Sequence, residues 1–153
     1  KDKLIDVLGA GSAVGEVADL NNNKRAATVT AESPVTVMWI SSSDLKHLVT
    51  DYPEIGERIW EITANRYAYY LLKDKEPYSK LSESQFKKEL RKATLSSYSG
   101  NTLVDLSESI RVLINGSVKD KDKVINAPAI LRNKTFEFEA GSKALFMDNV
   151  QGN

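Results

Sequence analysis

The chain has 153 residues, of which 41% are hydrophobic, enough for one ordinary domain core or two very small ones. Its 21 Lys+Arg balance 21 Asp+Glu, and this neutrality argues against a duplex-DNA reader, which needs a basic face to neutralise phosphates. With no Cys and the single histidine His47, the sequence excludes a disulfide framework, a thiolate nucleophile and Cys or paired-His metal sites.

No apolar run approaches the roughly 18 residues of a membrane span, and no signal-peptide pattern is visible. The chain begins at Lys1 without a methionine and enters a strand almost at once, so it reads as a piece of a longer protein. Residues 4–8 form a short apolar run closed by Gly9-Ala10-Gly11-Ser12, a strand and a turn. Val14 to Leu20 has room for one or two helical turns before Asn21-Asn22-Asn23 breaks it. Ala27–Thr30 and Pro34–Ile40, rich in Val and Thr, predict two further strands.

Ser41-Ser42-Ser43-Asp44 is a run of N-cap residues ahead of Leu45, Leu48 and Val49 at helical spacing. Pro53 opens a longer helix, Glu54 to about Leu72, with Ile55, Ile59, Ile62, Tyr67, Tyr70 and Leu71 as its apolar stripe. Pro77 marks a break, and Ser82–Lys92 is a polar helix with Phe86 and Leu90 on one side. From Leu103 the pattern turns to strands. Asn115-Gly116, between Ile110–Ile114 and Ser117-Val118, is the strongest two-residue hairpin signal. Lys119–Lys123 reads as a solvated charged loop, and Phe136–Glu139 alternates with period two before Gly141 returns the chain through Ala144–Met147.

One stretch carries chemistry: Gly15-Glu16-Val17-Ala18-Asp19-Leu20, a four-residue loop, then Arg25-Ala26-Ala27. A helical turn starting at Glu16 leaves backbone N–H groups unpaired at its start, suited to an anion. Arg25, returned by the loop, adds a charge-assisted hydrogen bond to the same anion. Ala26 and Ala27 are small enough for close backbone approach, and Glu16 offers an acceptor for a sugar hydroxyl. Together these describe a pocket for a phosphate attached to a sugar.

The pattern Gly-Glu-Val-Ala-x-Leu-x(4)-Arg-Ala-Ala resembles the phosphate-binding cassette of cyclic-nucleotide-binding domains. The resemblance covers about residues 4–72, with Asp44-Leu45-x-x-Leu48 and Tyr52-Pro53-Glu54-Ile55 similar to that family's terminal helices. It implies that Arg25 pairs with the cyclic phosphate and Glu16 with the ribose 2′-hydroxyl. Gly15, Val17, Ala18, Ala26 and Ala27 would line the site. Ala26, where cGMP-preferring members often carry Thr or Ser, points to cAMP as the regulatory ligand; no other cofactor is implied. The chain departs from the family at Val14, usually Phe, and at Asp19, usually apolar, where a carboxylate would face solvent or weaken anion binding.

Downstream, Leu103–Leu106, Arg111–Val118 and Ala127–Leu131 resemble the β-rich C-terminal tail of sodium/proton exchangers that carry such a domain, the sperm type most and the plant salt-tolerance type second. That resemblance implies a cytosolic regulator on the inner side of the plasma membrane, in a flagellum for the sperm type. Its partners would be the rest of a membrane transporter and a second copy in a homodimer, with no nucleic acid.

The fold class expected is α+β, mainly β. A partial cyclic-nucleotide-binding β-roll with C-terminal helices (1–72, its N-terminal strands missing) leads through a helical linker (73–102) to a second small β domain (103–148). Catalysis finds no support, because no nucleophile, base and orienting group stand together. Two alternatives stay open: a nucleotide-free dimerisation module with a degenerate cassette, or the sensor part of another channel, kinase or transcription regulator.

Overall fold

The computed structural model describes residues 4, 7–20, 25, 27–107 and 109–148. The described residues are mainly β: eight strands in two antiparallel sheets, with four α-helices. The chain divides into two compact units, Lys1–Trp60 and Glu61–Asn153.

In the first unit, the described elements are α1 (Glu16–Leu20), α2 (Ser42–Asp51) and the start of α3 (Pro53–Leu72). Local signals account for all three. Ser41 caps α2, its hydroxyl accepting from the Asp44 N–H at 3.1 Å. The Tyr52 N–H closes the same helix on the Leu48 carbonyl at 2.9 Å, and Pro53 then opens α3, where its missing N–H costs nothing. Strands expected at 27–30 and 34–40 are absent: the described residues there form no ladder. The β-branched composition is right for strands, but a strand exists only through partners, and no described segment pairs with these. Their large side chains accordingly stand in solvent, Trp39 at 81% exposure and Met38 at 87%. Of the strand expected at 4–8, residues 5 and 6 lie outside the described set, as do Asn21–Asn23; residues 7 and 8 are not in a strand.

In the second unit, the C-terminal half of α3 buries Thr63, Ala64, Ala68 and Leu72, not the larger residues expected. Ile62 is 40% exposed. The small Ala64 and Ala68, four apart and followed by Leu72, form one stripe. A 3₁₀ turn (Tyr78–Lys80) and α4 (Glu83–Leu90) follow. Ser82 and Gln85 form a capping box at the start of α4. Phe86 sits between the rings of Tyr69 and Tyr78, both centroids 5.2 Å away.

The strands are β1 (Thr94–Ser97), β2 (Thr102–Asp105), β3 (Ser109–Asn115), β4 (Ser117–Asp120), β5 (Lys123–Asn126), β6 (Ala129–Arg132), β7 (Thr135–Phe138) and β8 (Lys143–Asp148). One sheet has the order β1-β8-β3-β6 and the other β2-β7-β4-β5. Thus Asn115-Gly116 is not a hairpin turn. Strand β3 is flanked by β6 and β8, so neither of its edges is left for β4, and the chain crosses to the other sheet at Gly116 (φ +80). The turn at Gly141 (φ +83) likewise passes from β7 in one sheet to β8 in the other.

A two-residue hairpin stands instead at Lys121-Asp122, inside the expected charged loop: Asp120 pairs with Lys123, and Lys121 takes φ +56. The two sheets enclose Leu106, Leu113, Val118, Leu131, Phe136, Phe138 and Ala144, and Tyr98 stacks on Phe138 at 4.2 Å. Ser142, fully buried, locks both crossings: its hydroxyl donates to the Ser117 carbonyl (2.9 Å) and accepts the Ser117 N–H (3.2 Å).

Candidate functional site

The cassette folds back on itself. Gly15 takes φ +85, a left-handed conformation that only glycine adopts without strain, and turns the chain into α1. Arg25, ten residues on, lies directly over it. One guanidinium nitrogen donates to the Gly15 carbonyl, and a Cβ at Gly15 would meet that nitrogen at 2.5 Å. The other terminal nitrogen pairs with Asp19 Oδ2 at 2.8 Å. Asp19 Oδ1 accepts the hydroxyl of Ser42, the first residue of α2. A chain of polar contacts therefore runs Gly15–Arg25–Asp19–Ser42.

Electrostatics follow this geometry. The Ser42 hydroxyl, opposed by partial burial and helped by the Arg25 charge, holds the Asp19 carboxyl below its ordinary value. Asp19 is only 18% exposed, whereas Arg25 keeps 56% of its side chain in solvent although both its terminal nitrogens have partners. A solvent-accessible guanidinium, with five N–H donors in a planar fork, suits a second anion, phosphate included.

Of the sequence-predicted residues, the structure brings Gly15 and Arg25 into contact. Glu16 and Ala18 are half-buried on α1. Val17 belongs to α1, but its side chain is outside the described set, as is all of Ala26; Ala27 is exposed. Asp19 and Ser42 were not expected at the site. The one sequence signal for Asp19 was a carboxylate at a position where the resembled family is apolar. Nothing local marks Ser42, 23 residues away. Among the described residues no group of three His, Cys, Asp or Glu is placed to hold a metal ion, and no helix is long and apolar enough to cross a membrane. In the second unit, a recess is lined by Asp120, Lys121, Lys134 and Thr135, with Lys134 and Asp120 paired at 2.6 Å.

No protein-family model matches the chain. Among solved structures it is similar to a Geobacter metallireducens GS-15 protein described as a candidate cyclic nucleotide-binding protein. That match has 10% identity and TM-score 0.39, and covers 46% of this chain and 67% of that one. It is similar to cAMP-bound PfPKA-R (20% identity, TM-score 0.40, 94% of this chain) and to the regulatory domain of Toxoplasma gondii PKA with cAMP (15%, 0.37, 97%). The chain spans 55% and 63% of the lengths of these last two. None of the three is described as a sodium/proton exchanger.

Proposed function

We propose that this chain is a non-enzymatic regulatory module that binds a cyclic nucleotide, cAMP in preference to cGMP, and controls an attached sodium/proton exchanger from its cytosolic side, as a homodimer. The observation that carries the nucleotide reading is Arg25: it is returned across Gly15 and keeps more than half of its side chain in solvent, within reach of an incoming anion. Glu16, on the same turn, takes the ribose hydroxyl in this reading, and Val17, Ala18, Ala26 and Ala27 complete the lining. The exchanger rests on the sequence resemblance of Leu103–Leu106, Arg111–Val118 and Ala127–Leu131 alone. The second reading, a structural module that no longer binds nucleotide, is favoured by one observation: Asp19 already supplies Arg25 with an anion.

Calorimetric titration of the chain with cAMP, with cGMP as competitor, separates the two. Arg25→Ala is expected to weaken cAMP binding by about 2 kcal/mol, the lower end for truncating one member of a charge pair, because Arg25 is half in solvent. Unchanged affinity in Arg25→Ala, or no binding by the parent, refutes the nucleotide reading.

A further inference from the structure

We infer that Asp19 is a built-in competitor for Arg25, an internal carboxylate that sets the affinity of the anion site and ties its occupancy to helix α2. The inference rests on the nucleotide reading of the same site. Two contacts and a difference in exposure carry it. Asp19 Oδ2 pairs with Arg25 at 2.8 Å, on the nitrogen that does not serve the Gly15 carbonyl. Its other oxygen is held by the Ser42 hydroxyl at the start of α2, so the carboxylate is oriented and not a free surface charge. It is also the more enclosed partner, at 18% against 56% exposure.

A phosphate needs two donors of one guanidinium edge for a forked contact, and Asp19 holds one of them. Incoming phosphate therefore has two routes: it shares Arg25 with a like charge beside it, or it displaces Asp19. Either lowers affinity relative to a chain without the carboxylate. Displacement also breaks the Arg25 contact that orients Asp19 and leaves Lys46 of α2 as the remaining cation acting on it, so the α1–α2 link changes when the anion is bound. Ligand and α2 are then coupled because ligand favours one of two arrangements of the same hydrogen-bonded chain.

The test uses the full chain and cAMP at low ionic strength. Asp19→Asn is expected to bind about 3- to 20-fold more tightly than the parent. An exposed ion pair accounts for roughly the first fivefold and relief of like-charge repulsion for the rest. Asp19→Leu, which restores an apolar residue, is expected to tighten binding as well and guards against a polar artefact. Asp44→Asn removes a charge from the same helix end without touching the Arg25 pair; its affinity is expected to change less than twofold.

Amide hydrogen exchange over 43–46 is expected to quicken in Asp19→Asn without ligand, and in the parent only with cAMP. Binding by the parent with no tightening in either Asp19 variant overturns the competition while leaving the nucleotide reading intact. Equal tightening in Asp44→Asn overturns it as a general charge effect. Failure of parent and variants alike to bind cAMP overturns the nucleotide reading and the competition together.

Discussion

Tyr78 is only 1% exposed, its ring stacked on Phe86, yet its hydroxyl is buried without a hydrogen-bond partner among the described residues. Tyr78→Phe removes that hydroxyl and keeps the ring. Leaving a buried donor unsatisfied costs about 1–3 kcal/mol, so the substitution is expected to stabilise by about 1 kcal/mol near neutral pH. For a domain this size that raises Tm by roughly 4–8 °C.

A pH signature distinguishes this from simple repacking. Burial first, then the charges of Glu89 and Asp148, push the Tyr78 phenol up from 10.0 to about 12, with Arg132 opposing. The unfolded chain therefore releases this proton about two pH units before the folded one. The contribution is fully present below pH 10 and declines as pH rises from 10 towards 12, where the folded state holds the extra proton. At pH 11 the parent is expected to have lost about 1.4 kcal/mol that Tyr78→Phe retains. Urea unfolding followed by far-UV circular dichroism at pH 8 and pH 11 measures both effects, and other titrating groups cancel in the difference. Destabilisation by more than 1 kcal/mol at pH 8, or identical losses at pH 11, refutes the reasoning.

Gly116 and Gly141 make a matched pair of left-handed turns that cross between the sheets. A Cβ at Gly116 would meet Ser142 Oγ at 2.5 Å and its Cα at 2.8 Å, whereas Gly141 has open space. Gly141→Ala is therefore expected to cost about 1 kcal/mol of backbone strain and Gly116→Ala at least about 2 kcal/mol more, read from urea midpoints; equal costs would exclude Ser142 as the obstacle. Ser82→Ala, which removes the capping box of α4, is expected to lower stability by about 1 kcal/mol, with exchange quickening first at the Gln85 amide.

Helix starts were legible in the sequence because their signals and their hydrogen bonds lie within a few residues of one another. Ser41, Pro53 and Ser82 each satisfy or replace a backbone donor of the turn that follows. The mainly β character of the second unit was legible too, from Ile110–Ile114 and from Phe136 and Phe138. Strand partnership was not. Asn115-Gly116 has the composition of a hairpin, but β3 already has β6 and β8 on its two edges, and Lys121-Asp122 makes a hairpin from residues that read as a solvated loop.

The cassette divides in the same way. Its spacing brought Gly15 and Arg25 into view, since a ten-residue return is a local matter. The partner that occupies Arg25 was not in view, because the orientation of Asp19 depends on a hydroxyl 23 residues away. A residue type reports which interactions a position can make; which one it makes is decided by the groups the fold delivers to it, and for β3 and Asp19 the deciding groups lie far along the chain.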